Sequence, residues 1–481
     1  MTPALEVAGL EIRAAAAQGG GVIVHRLDLQ LGAGDHLTIL GESGSGKSLL
    51  AQAIMGTLPR GVSATGSIAA WGQELTRLAP PARQALWGRA LAMLPQEPWL
   101  ALNPTMRGLG QVAEVPHRVL GQAWAAAERA AHEALARLRL PEAASRYPHQ
   151  LSGGMAQRVS FAATSAAGAR LLIADEPTKG LDAALRDQVG SLLAAHLQPD
   201  HALITITHDV ALARRLGGRV AIMLEGRIVE QGPASEVLTR PQHAYSRELV
   251  QADPANWEPM PHALPGNRQP VVAGTGLAKA FGRQRLFENV DLSVDAGEIV
   301  AIPGPSGCGK TTLGHILLGL ERADRGQVIR PATQRPWSQQ KLYQDPPAAF
   351  APRRSLRDSL RDLVTRHRLS LADGQSLMHR LRLGDELLDR LPSQVSGGEL
   401  QRFALLRVLL MKPAFVFADE PGSRLDPVTQ KRMMQLLNDC ASAQGFGVLL
   451  VTHDAQVAAR GAHRVRHIDF VSAALDHNHA P

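Results

Sequence analysis

Cysteine and long apolar runs are scarce in this chain of 481 residues. Only two cysteines are present, which excludes a disulfide framework, zinc fingers with four cysteine ligands and a cysteine-ligated iron–sulfur cluster. No apolar run approaches the roughly 18 residues that a membrane helix needs. The first residues, MTPALEVAGLEI, lack the basic and then apolar layout of a secretory signal. We therefore expect a cytoplasmic chain that carries no iron–sulfur cluster.

The excess of positive over negative charge is also small. Lysine and arginine number 51 against 44 aspartates and glutamates, a net charge of +7. Such a balance suits nucleic acid or an anionic membrane surface, but no dense basic run is present. A solvated, arginine-rich surface is the favoured interpretation, and we expect no nucleic-acid partner.

Four motifs occur twice in the same order, which predicts two copies of one domain. In the first and then the second copy they are GESGSGKS (from Gly41) and GPSGCGKT (from Gly304), LSGGMAQRV (from Leu151) and VSGGELQRF (from Val395), IADEP (from Ile173) and FADEP (from Phe417), and TITHD (from Thr205) and LVTHD (from Leu450). Between the copies, residues 252–270 are rich in proline and polar residues, which predicts a linker. The expected domains are therefore 1–251 and 271–481.

Each copy alternates apolar runs with helical stretches, a pattern typical of a sheet covered by helices on both faces. We predict buried strands at 36–40, 171–174 and 203–207 in the first copy, and at 299–302, 415–418 and 448–452 in the second. Apolar residues at helical spacing in 122–138, and more briefly in 369–391, predict a helical subdomain in each copy. The motif residues follow strand carboxyl ends, where open α/β sheets bind ligands.

The glycine-rich motifs predict two phosphate-binding loops. A G-x-x-x-x-G-K-[ST] loop aims backbone N–H groups at phosphate oxygens and leads into a helix N-terminus. The loop lysines would bridge the β- and γ-phosphates, and the hydroxyls that follow them would ligate Mg²⁺. A glycine-rich turn that merely caps a helix is the alternative, which the duplication disfavours. The predicted phosphate-binding residues are Gly41, Glu42, Ser43, Gly44, Ser45, Gly46, Lys47 and Ser48, and Gly304, Pro305, Ser306, Gly307, Cys308, Gly309, Lys310 and Thr311.

Acidic pairs end the next predicted strands. Asp175 and Asp419 are candidates for the carboxylate that helps to hold Mg²⁺, together with Ser48 and Thr311. Neighbours on an extended segment point in opposite directions, so the next carboxylate would face the attacking water. Glu176 and Glu420 are therefore the candidates for general base or water-positioning residue.

Two further pairs complete the predicted sites. His208 and His453 follow the ends of other apolar strands, from which an imidazole could contact a γ-phosphate and act in catalysis. Gln96 and Gln344 lie between the nucleotide core and the helical stretch, where an amide can contact both the metal and a moving subdomain.

Nearly the whole chain resembles the ABC ATPase superfamily. The specific motif is Ser-Gly-Gly followed by Gln-Arg, at Ser152, Gly153 and Gly154 and at Ser396, Gly397 and Gly398. The resemblance implies two tandem P-loop NTPase domains, each with a RecA-like α/β core, an antiparallel β region and a helical subdomain. It also implies head-to-tail pairing, with ATP on Lys47 closed over by Ser396 and ATP on Lys310 by Ser152.

Further segments resemble the oligopeptide, dipeptide and nickel importers, above all QEPWLALNPTM from Gln96 and QDPPAAFAPRR from Gln344. This resemblance implies an energy-coupling ATPase on the cytoplasmic face of the inner membrane, with ATP and Mg²⁺ as cofactors. Two integral-membrane permease subunits and an extracytoplasmic substrate-binding protein would be its partners. A soluble ABC protein acting on ribosomes, a DNA-repair ATPase and a double-headed sugar importer are the alternatives.

One feature departs from the pattern of the superfamily. Its members usually stack adenine on an aromatic residue before the first loop, a role that Phe281 fits in the second copy. The first copy has EIRAAAAQGG at this place, so adenine binding on the Lys47 side is an open question.

Overall fold

The protein is described by a computed structural model that covers residues 2–15, 20–42, 44–97, 101–179, 181, 183–260, 269–282, 284–305, 307–331, 335–422 and 425–470. The chain divides into two compact units, Met1–Asp253 and Pro254–Pro481, here called unit 1 and unit 2. Within the described residues, no helix is both long and apolar enough to cross a bilayer.

Unit 1 contains two sheets and the helices that pack on them. Its strands are β1 (Leu5–Ala14), β2 (Val22–Leu31), β3 (His36–Leu40), β4 (Val62–Ala70), β5 (Gln73–Glu74), β6 (Leu91–Leu94), β7 (Leu171–Asp175), β8 (Ala202–Thr207), β9 (Arg219–Leu224) and β10 (Arg227–Pro233). Its helices are α1 (Lys47–Met55), α2 (Pro80–Gln84), α3 (Gly108–Leu120), α4 (Trp124–Arg137), α5 (Gly153–Ser165), α6 (Ala183–His196), α7 (Val210–Leu216), α8 (Ala234–Val237) and α9 (Ala244–Ala252).

The larger sheet of unit 1 has the order β10-β9-β3-β8-β7-β6 in the described chain. Its strands from β6 to β9 run parallel, and β10 joins β9 antiparallel. Every residue of β3, β7 and β8 is buried, as expected for parallel strands covered by helices on both faces. A second, antiparallel sheet has the order β2-β1-β4-β5.

Unit 2 repeats this plan with fewer strands in its described part. The strands are β11 (Pro270–Phe281), β12 (Gln284–Asp295), β13 (Ile299–Pro303), β14 (Arg325–Ile329), β15 (Gln339–Leu342), β16 (Phe415–Asp419), β17 (Gly447–Thr452) and β18 (Arg464–Val465). The helices are α10 (Lys310–Leu318), α11 (Leu356–His367), α12 (Leu371–Arg380), α13 (Gly397–Leu410), α14 (Pro427–Gln444) and α15 (Ala455–Gly461). The sheet orders are β15-β16-β17-β13-β18, which is parallel, and β12-β11-β14, which is antiparallel.

The α/β fold expected from the sequence is confirmed, since each unit contains a parallel sheet, an antiparallel β region and a helical part. In unit 1 the helical part is built on α3, α4 and α5, which share a small apolar cluster that includes Val112, Ala131, Leu135 and Val159. The predicted helix 122–138 corresponds to α4. The stretch 369–391 contains α12 followed by a single 3-10 turn, Asp385–Leu387.

Part of the segment expected to be a linker belongs to unit 2 and packs into its core. Residues Pro254–Asn256 form a 3-10 turn, and the side chain of Trp257 is only 5% exposed in the main hydrophobic cluster of unit 2. The carbonyl of Trp257 accepts a hydrogen bond from Arg460 Nη1 at 2.7 Å. The proline-rich composition concealed this anchor, because a single tryptophan leaves no periodic pattern. The domain boundaries at 251 and 271 stay predictions.

Candidate functional site

The phosphate loop of unit 1 connects β3 to α1. Gly44 and Gly46 have φ of 87° and 95°, values that glycine adopts without steric cost. A Cβ on Gly46 would lie 2.7 Å from Val24 Cγ2, so no larger residue fits there. The Lys47 ammonium donates to the carbonyls of Gly41 at 2.8 Å and Glu42 at 2.6 Å. The lysine is thus buried and folded back over the loop, where a phosphate would be bound.

Unit 2 has the same loop between β13 and α10. Gly307 and Gly309 have φ of 79° and 117°, and the Lys310 ammonium donates to the carbonyls of Gly304 and Pro305, each at 2.7 Å. The Cys308 side chain is buried. Ser43 and Ser306, predicted from both motifs to bind phosphate, lie outside the described residues.

Hydroxyl and carboxylate oxygens meet beside each loop. In unit 2, Thr311 Oγ1 donates to Asp419 Oδ1 at 3.0 Å. In unit 1, burial raises the pKa of Asp175 to about 6, although a hydrogen bond from Ser48 opposes the rise. Asp175 Oδ1 is buried and finds no hydrogen-bond partner among the described residues. Oxygen donors of this kind suit Mg²⁺, and the unmet acceptor could receive a hydrogen bond from a metal-bound water, so these residues fit the metal.

The candidate base of unit 1 is paired with a histidine. Glu176 is 7% exposed, and its Oε1 lies 2.9 Å from His208 Nδ1. Burial raises the pKa of Glu176, but the charge and the hydrogen bond of His208, with help from Lys47, outweigh it and lower the pKa overall. For His208, burial lowers the pKa, but Glu176 outweighs that effect and raises it overall. The pair therefore favours a carboxylate next to an imidazolium.

Unit 2 contains the matching pair, with one more contact. Glu420 Oε2 lies 2.9 Å from His453 Nδ1 and accepts a hydrogen bond from Gln344 Nε2 at 3.0 Å. Glu420 Oε1 is 3.9 Å from the Lys310 ammonium. The candidate base, the loop lysine and the glutamine of this unit therefore lie within one small region.

Both glutamates adopt a left-handed backbone, with φ of 49° at Glu176 and 45° at Glu420. The sequence argument assumed that the strand continues through the acidic pair, which is wrong because β7 and β16 end at Asp175 and Asp419. Left-handed conformations cost free energy for residues other than glycine and concentrate at functional sites. A turn in the backbone, and not strand alternation, therefore separates the two carboxylates.

Three further predicted residues are placed as follows. Gln96 follows β6 and is exposed, whereas Gln344 donates a hydrogen bond to Glu420. Phe281 ends β11 with 53% of its surface exposed, and the Lys279 ammonium lies 5.1 Å from its ring centroid. An exposed ring of this kind is free to stack on a planar base.

Each Ser-Gly-Gly motif begins a helix. Ser152 is the N-cap of α5 and accepts a hydrogen bond from the Met155 N–H at 3.3 Å. Ser396 is the N-cap of α13, where Glu399 completes a capping box. The N–H groups of Gly153 and Gly154, and of Gly397 and Gly398, thus lie in the first turns of their helices, where the helix dipole favours an anion.

Sequence reasoning missed Lys341, on β15. Its ammonium lies 3.1 Å from Asp419 Oδ2, next to the predicted magnesium carboxylate. No motif includes this residue. A residue-by-residue alignment of the two copies would have found it, because Met93 occupies the matching place in unit 1.

Comparison with known proteins places this geometry in a family. A family model described as "ABC transporter" matches residues 24–179 and 287–423. The peptidoglycan transport ATP-binding protein YejF of Agrobacterium fabrum is 34% identical over 496 residues, covering 95% of this chain and 89% of the relative. The glutathione import ATP-binding protein GsiA of Salmonella typhi is 32% identical over 508 residues, covering 92% and 81%.

Among solved structures, the archaeal ribosome recycling factor aABCE1, in complex with the ribosomal stalk protein aP1, is similar with a TM-score of 0.68. The two chains are 19% identical, and the match covers 95% of this chain and 86% of the other. At this identity the likeness concerns the fold alone.

Proposed function

Because this chain belongs to the ABC transporter family, whose ATP-binding proteins are ATPases, we propose that it is the energy-coupling subunit of an importer for peptides, nickel or metal chelates. ATP hydrolysis at two sites would drive the transport cycle. The observation that carries this proposal is that loop lysine, hydroxyl, acidic pair and histidine occur together in each unit.

We propose the same division of labour in both units. Lys47 and Lys310 leave their loop carbonyls to bind the β- and γ-phosphates. Glu176 and Glu420 take a proton from the attacking water, and the adjacent histidines orient these carboxylates. Ser48 with Asp175, and Thr311 with Asp419, would hold Mg²⁺, which neutralises charge on the phosphates when it is bound.

Each site is proposed to be completed by the helix that begins at the Ser-Gly-Gly motif of the other unit. A Ser-Gly-Gly helix start offers a hydroxyl and N–H groups but neither base nor metal ligand, so it serves only with another loop. ATP on Lys47 would be closed over by Ser396, and ATP on Lys310 by Ser152. Phe281 would stack on the adenine of the second site.

A groove in unit 2 supports docking of a membrane permease. It has a volume of about 420 Å³ and is lined by side chains that include Trp337, Tyr343, Leu363, His367 and Met411. Trp337 and Tyr343 remain 39% and 37% exposed, and aromatic residues of this kind are enriched at protein interfaces. Tyr343 of this groove directly precedes Gln344, whose amide donates a hydrogen bond to Glu420, so the chain links the groove to the proposed base. Two permeases and an extracytoplasmic binding protein are the proposed partners, with the chain on the cytoplasmic face of the inner membrane.

The relatives favour a peptide-bearing cargo among the three proposed. One is named for peptidoglycan transport and another for glutathione import, and glutathione is itself a tripeptide. Cargo contacts would lie in the permeases and the binding protein, so nickel and metal chelates remain alternatives.

The test is reconstitution of the chain with two permease subunits that co-purify with it from membranes. ATP hydrolysis in vesicles should rise when the binding protein is supplied with short peptides, and Glu176→Gln combined with Glu420→Gln should abolish the rise. Stimulation by Ni²⁺ or a chelate alone would change the cargo. Recovery with ribosomes at moderate salt, without any permease, would overturn the importer proposal.

A further inference from the structure

The two units differ beside the carboxylate that is proposed to hold Mg²⁺. Lys341 pairs with Phe417 across β15 and β16, and Met93 pairs with Ile173 across β6 and β7. Phe417 and Ile173 are matching residues of the repeated motif, so Lys341 and Met93 occupy the same place. One unit therefore has a cation where the other has a neutral thioether.

Lys341 is held in position by several contacts. Its side chain is 12% exposed, and its ammonium lies 3.1 Å from Asp419 Oδ2 and 2.9 Å from His315 Nε2. Burial and the ammonium itself lower the pKa of His315, which keeps its Nε2 available as an acceptor. The ammonium also lies 4.9 Å and 5.5 Å from the ring centroids of Tyr343 and Phe417, distances at which aromatic faces attract a cation.

Both carboxylate oxygens of Asp419 consequently have partners in unit 2. Thr311 donates to Oδ1 and Lys341 pairs with Oδ2. In unit 1, Asp175 Oδ1 is buried without a hydrogen-bond partner in the described part of the chain. The charge of the Asp419 carboxylate in unit 2 is therefore already partly neutralised before any ligand binds.

We propose that Lys341 is an internal counter-cation that makes triphosphate binding at the second site less dependent on Mg²⁺ than at the first. The inference rests on the proposed function, because it requires a triphosphate on Lys310. Without metal, the ammonium cancels charge on Asp419 that would otherwise repel the phosphates. If Asp419 holds Mg²⁺, the same ammonium, 3.1 Å from its Oδ2, would weaken the hold of this carboxylate on the cation, because charges in a buried site interact more strongly than in water. Lys341 thus acts through the charge of Asp419 and is a positioning residue, not one that contacts the reacting atoms.

The experiment measures ATP binding to the full chain in excess EDTA and in saturating Mg²⁺. The Lys47→Ala variant confines binding to the second site. The dissociation constant of ATP in EDTA, divided by the dissociation constant in Mg²⁺, reports how strongly binding at this site depends on metal. Adding Lys341→Met should raise this ratio about tenfold, which corresponds to about 1.4 kcal/mol. Lys341→Arg should leave the ratio unchanged. Lys412→Met, which removes an exposed lysine elsewhere in unit 2, is the matched control and should also have no effect.

The reciprocal arm uses the first site. In a Lys310→Ala chain, Met93→Lys should lower the same ratio. If ATP binds but neither Lys341→Met nor Met93→Lys moves the ratio, the inference is overturned. Should Lys341→Met fail to fold, the Met93→Lys arm decides alone. If the wild-type chain binds no ATP with or without Mg²⁺, the proposed function itself fails, a result distinct from an unchanged ratio.

Discussion

Single side chains decide the chemistry of both sites, and the two glutamates are the most direct test. We expect Glu176→Gln and Glu420→Gln each to lower ATP turnover by at least half, since the amide cannot accept a proton from water. The double variant should fall about 100-fold or more, in the range typical of a lost general base. Steady-state phosphate release measures this.

ATP binding serves as the control, because neither variant removes a residue of the phosphate loops. Each should bind ATP as the wild type does. If one single variant turns over ATP at the wild-type rate, that site binds nucleotide without hydrolysing it.

A buried histidine near the first loop gives unit 1 its own dependence on pH. His36, on β3, is 4% exposed, and its Nε2 lies 3.1 Å from Thr205 Oγ1 and 3.3 Å from Thr38 Oγ1. Burial lowers the pKa of His36 to about 4, although backbone hydrogen bonds oppose the shift. The unfolded chain binds this proton near pH 6.5 and the folded chain does not, so unit 1 should lose stability as pH falls from about 6.5 to about 4. The loss should reach about 3 kcal/mol.

The matching strands of unit 2 show which residue can replace His36. Their residues at the three corresponding positions are Ile299, Ala301 and Leu450, none of which titrates. Thermal unfolding of wild type and His36→Ile should differ by an amount that changes between pH 7 and pH 5 in favour of the variant. The two unpaired threonine hydroxyls of the variant add only a constant offset. Parallel curves would contradict the assignment.

At the scale of elements, the helix after each loop is fitted to the strand beneath it. A Cβ on Gly314 of α10 would overlap the ring of Phe417 on β16. In unit 1 the corresponding residues are Ala51 and Ile173, a larger residue over a smaller one. The two copies therefore fill the same space differently: unit 2 has the smaller helix residue over the larger strand residue, and unit 1 has the reverse.

This exchange predicts a coupled effect on stability. Gly314→Ala should destabilise unit 2 by about 1–3 kcal/mol because an overpacked core is strained, although alanine favours a helix by about 1 kcal/mol over glycine. Adding Phe417→Ile should recover part of the loss, and denaturant unfolding of the single and double variants measures the coupling. Additive effects would show that the helix moves aside at no cost.

Predictability from sequence differs between elements for physical reasons. The strand predicted at 36–40 coincides with β3 because a buried parallel strand is a continuous apolar run between turn residues. Helix α3 was missed because Pro116 lies inside it and proline normally marks an end. The motif residues could be predicted because phosphate chemistry restricts their identity. The left-handed backbone of Glu420 and the ion pair of Lys341 have no local pattern, since each depends on neighbours that are distant in sequence.

At the scale of the whole molecule, the head-to-tail proposal determines which double variants damage one site and which damage two. Lys310 and Ser152 are assigned to the same composite site, whereas Lys310 and Ser396 are assigned to different ones. Lys310→Ala with Ser152→Ala should therefore retain as much bound ATP per chain as Lys310→Ala alone. Lys310→Ala with Ser396→Ala should retain about tenfold less or lower, because removing a preorganised donor to a phosphate typically costs more than this.

The readout is ATP retained per chain after rapid gel filtration in the Glu176→Gln and Glu420→Gln background, which prevents turnover. The mirror pairs are built on Lys47→Ala, for which Ser396→Ala should be silent and Ser152→Ala damaging. Such opposite dependence on the two serines follows only if each loop is served by the other unit, because a serine acting on its own unit's loop would reverse the pattern. Equal effects of both serines in both series would mean that neither Ser-Gly-Gly motif distinguishes the two nucleotides, and the composite-site proposal would then have to be abandoned.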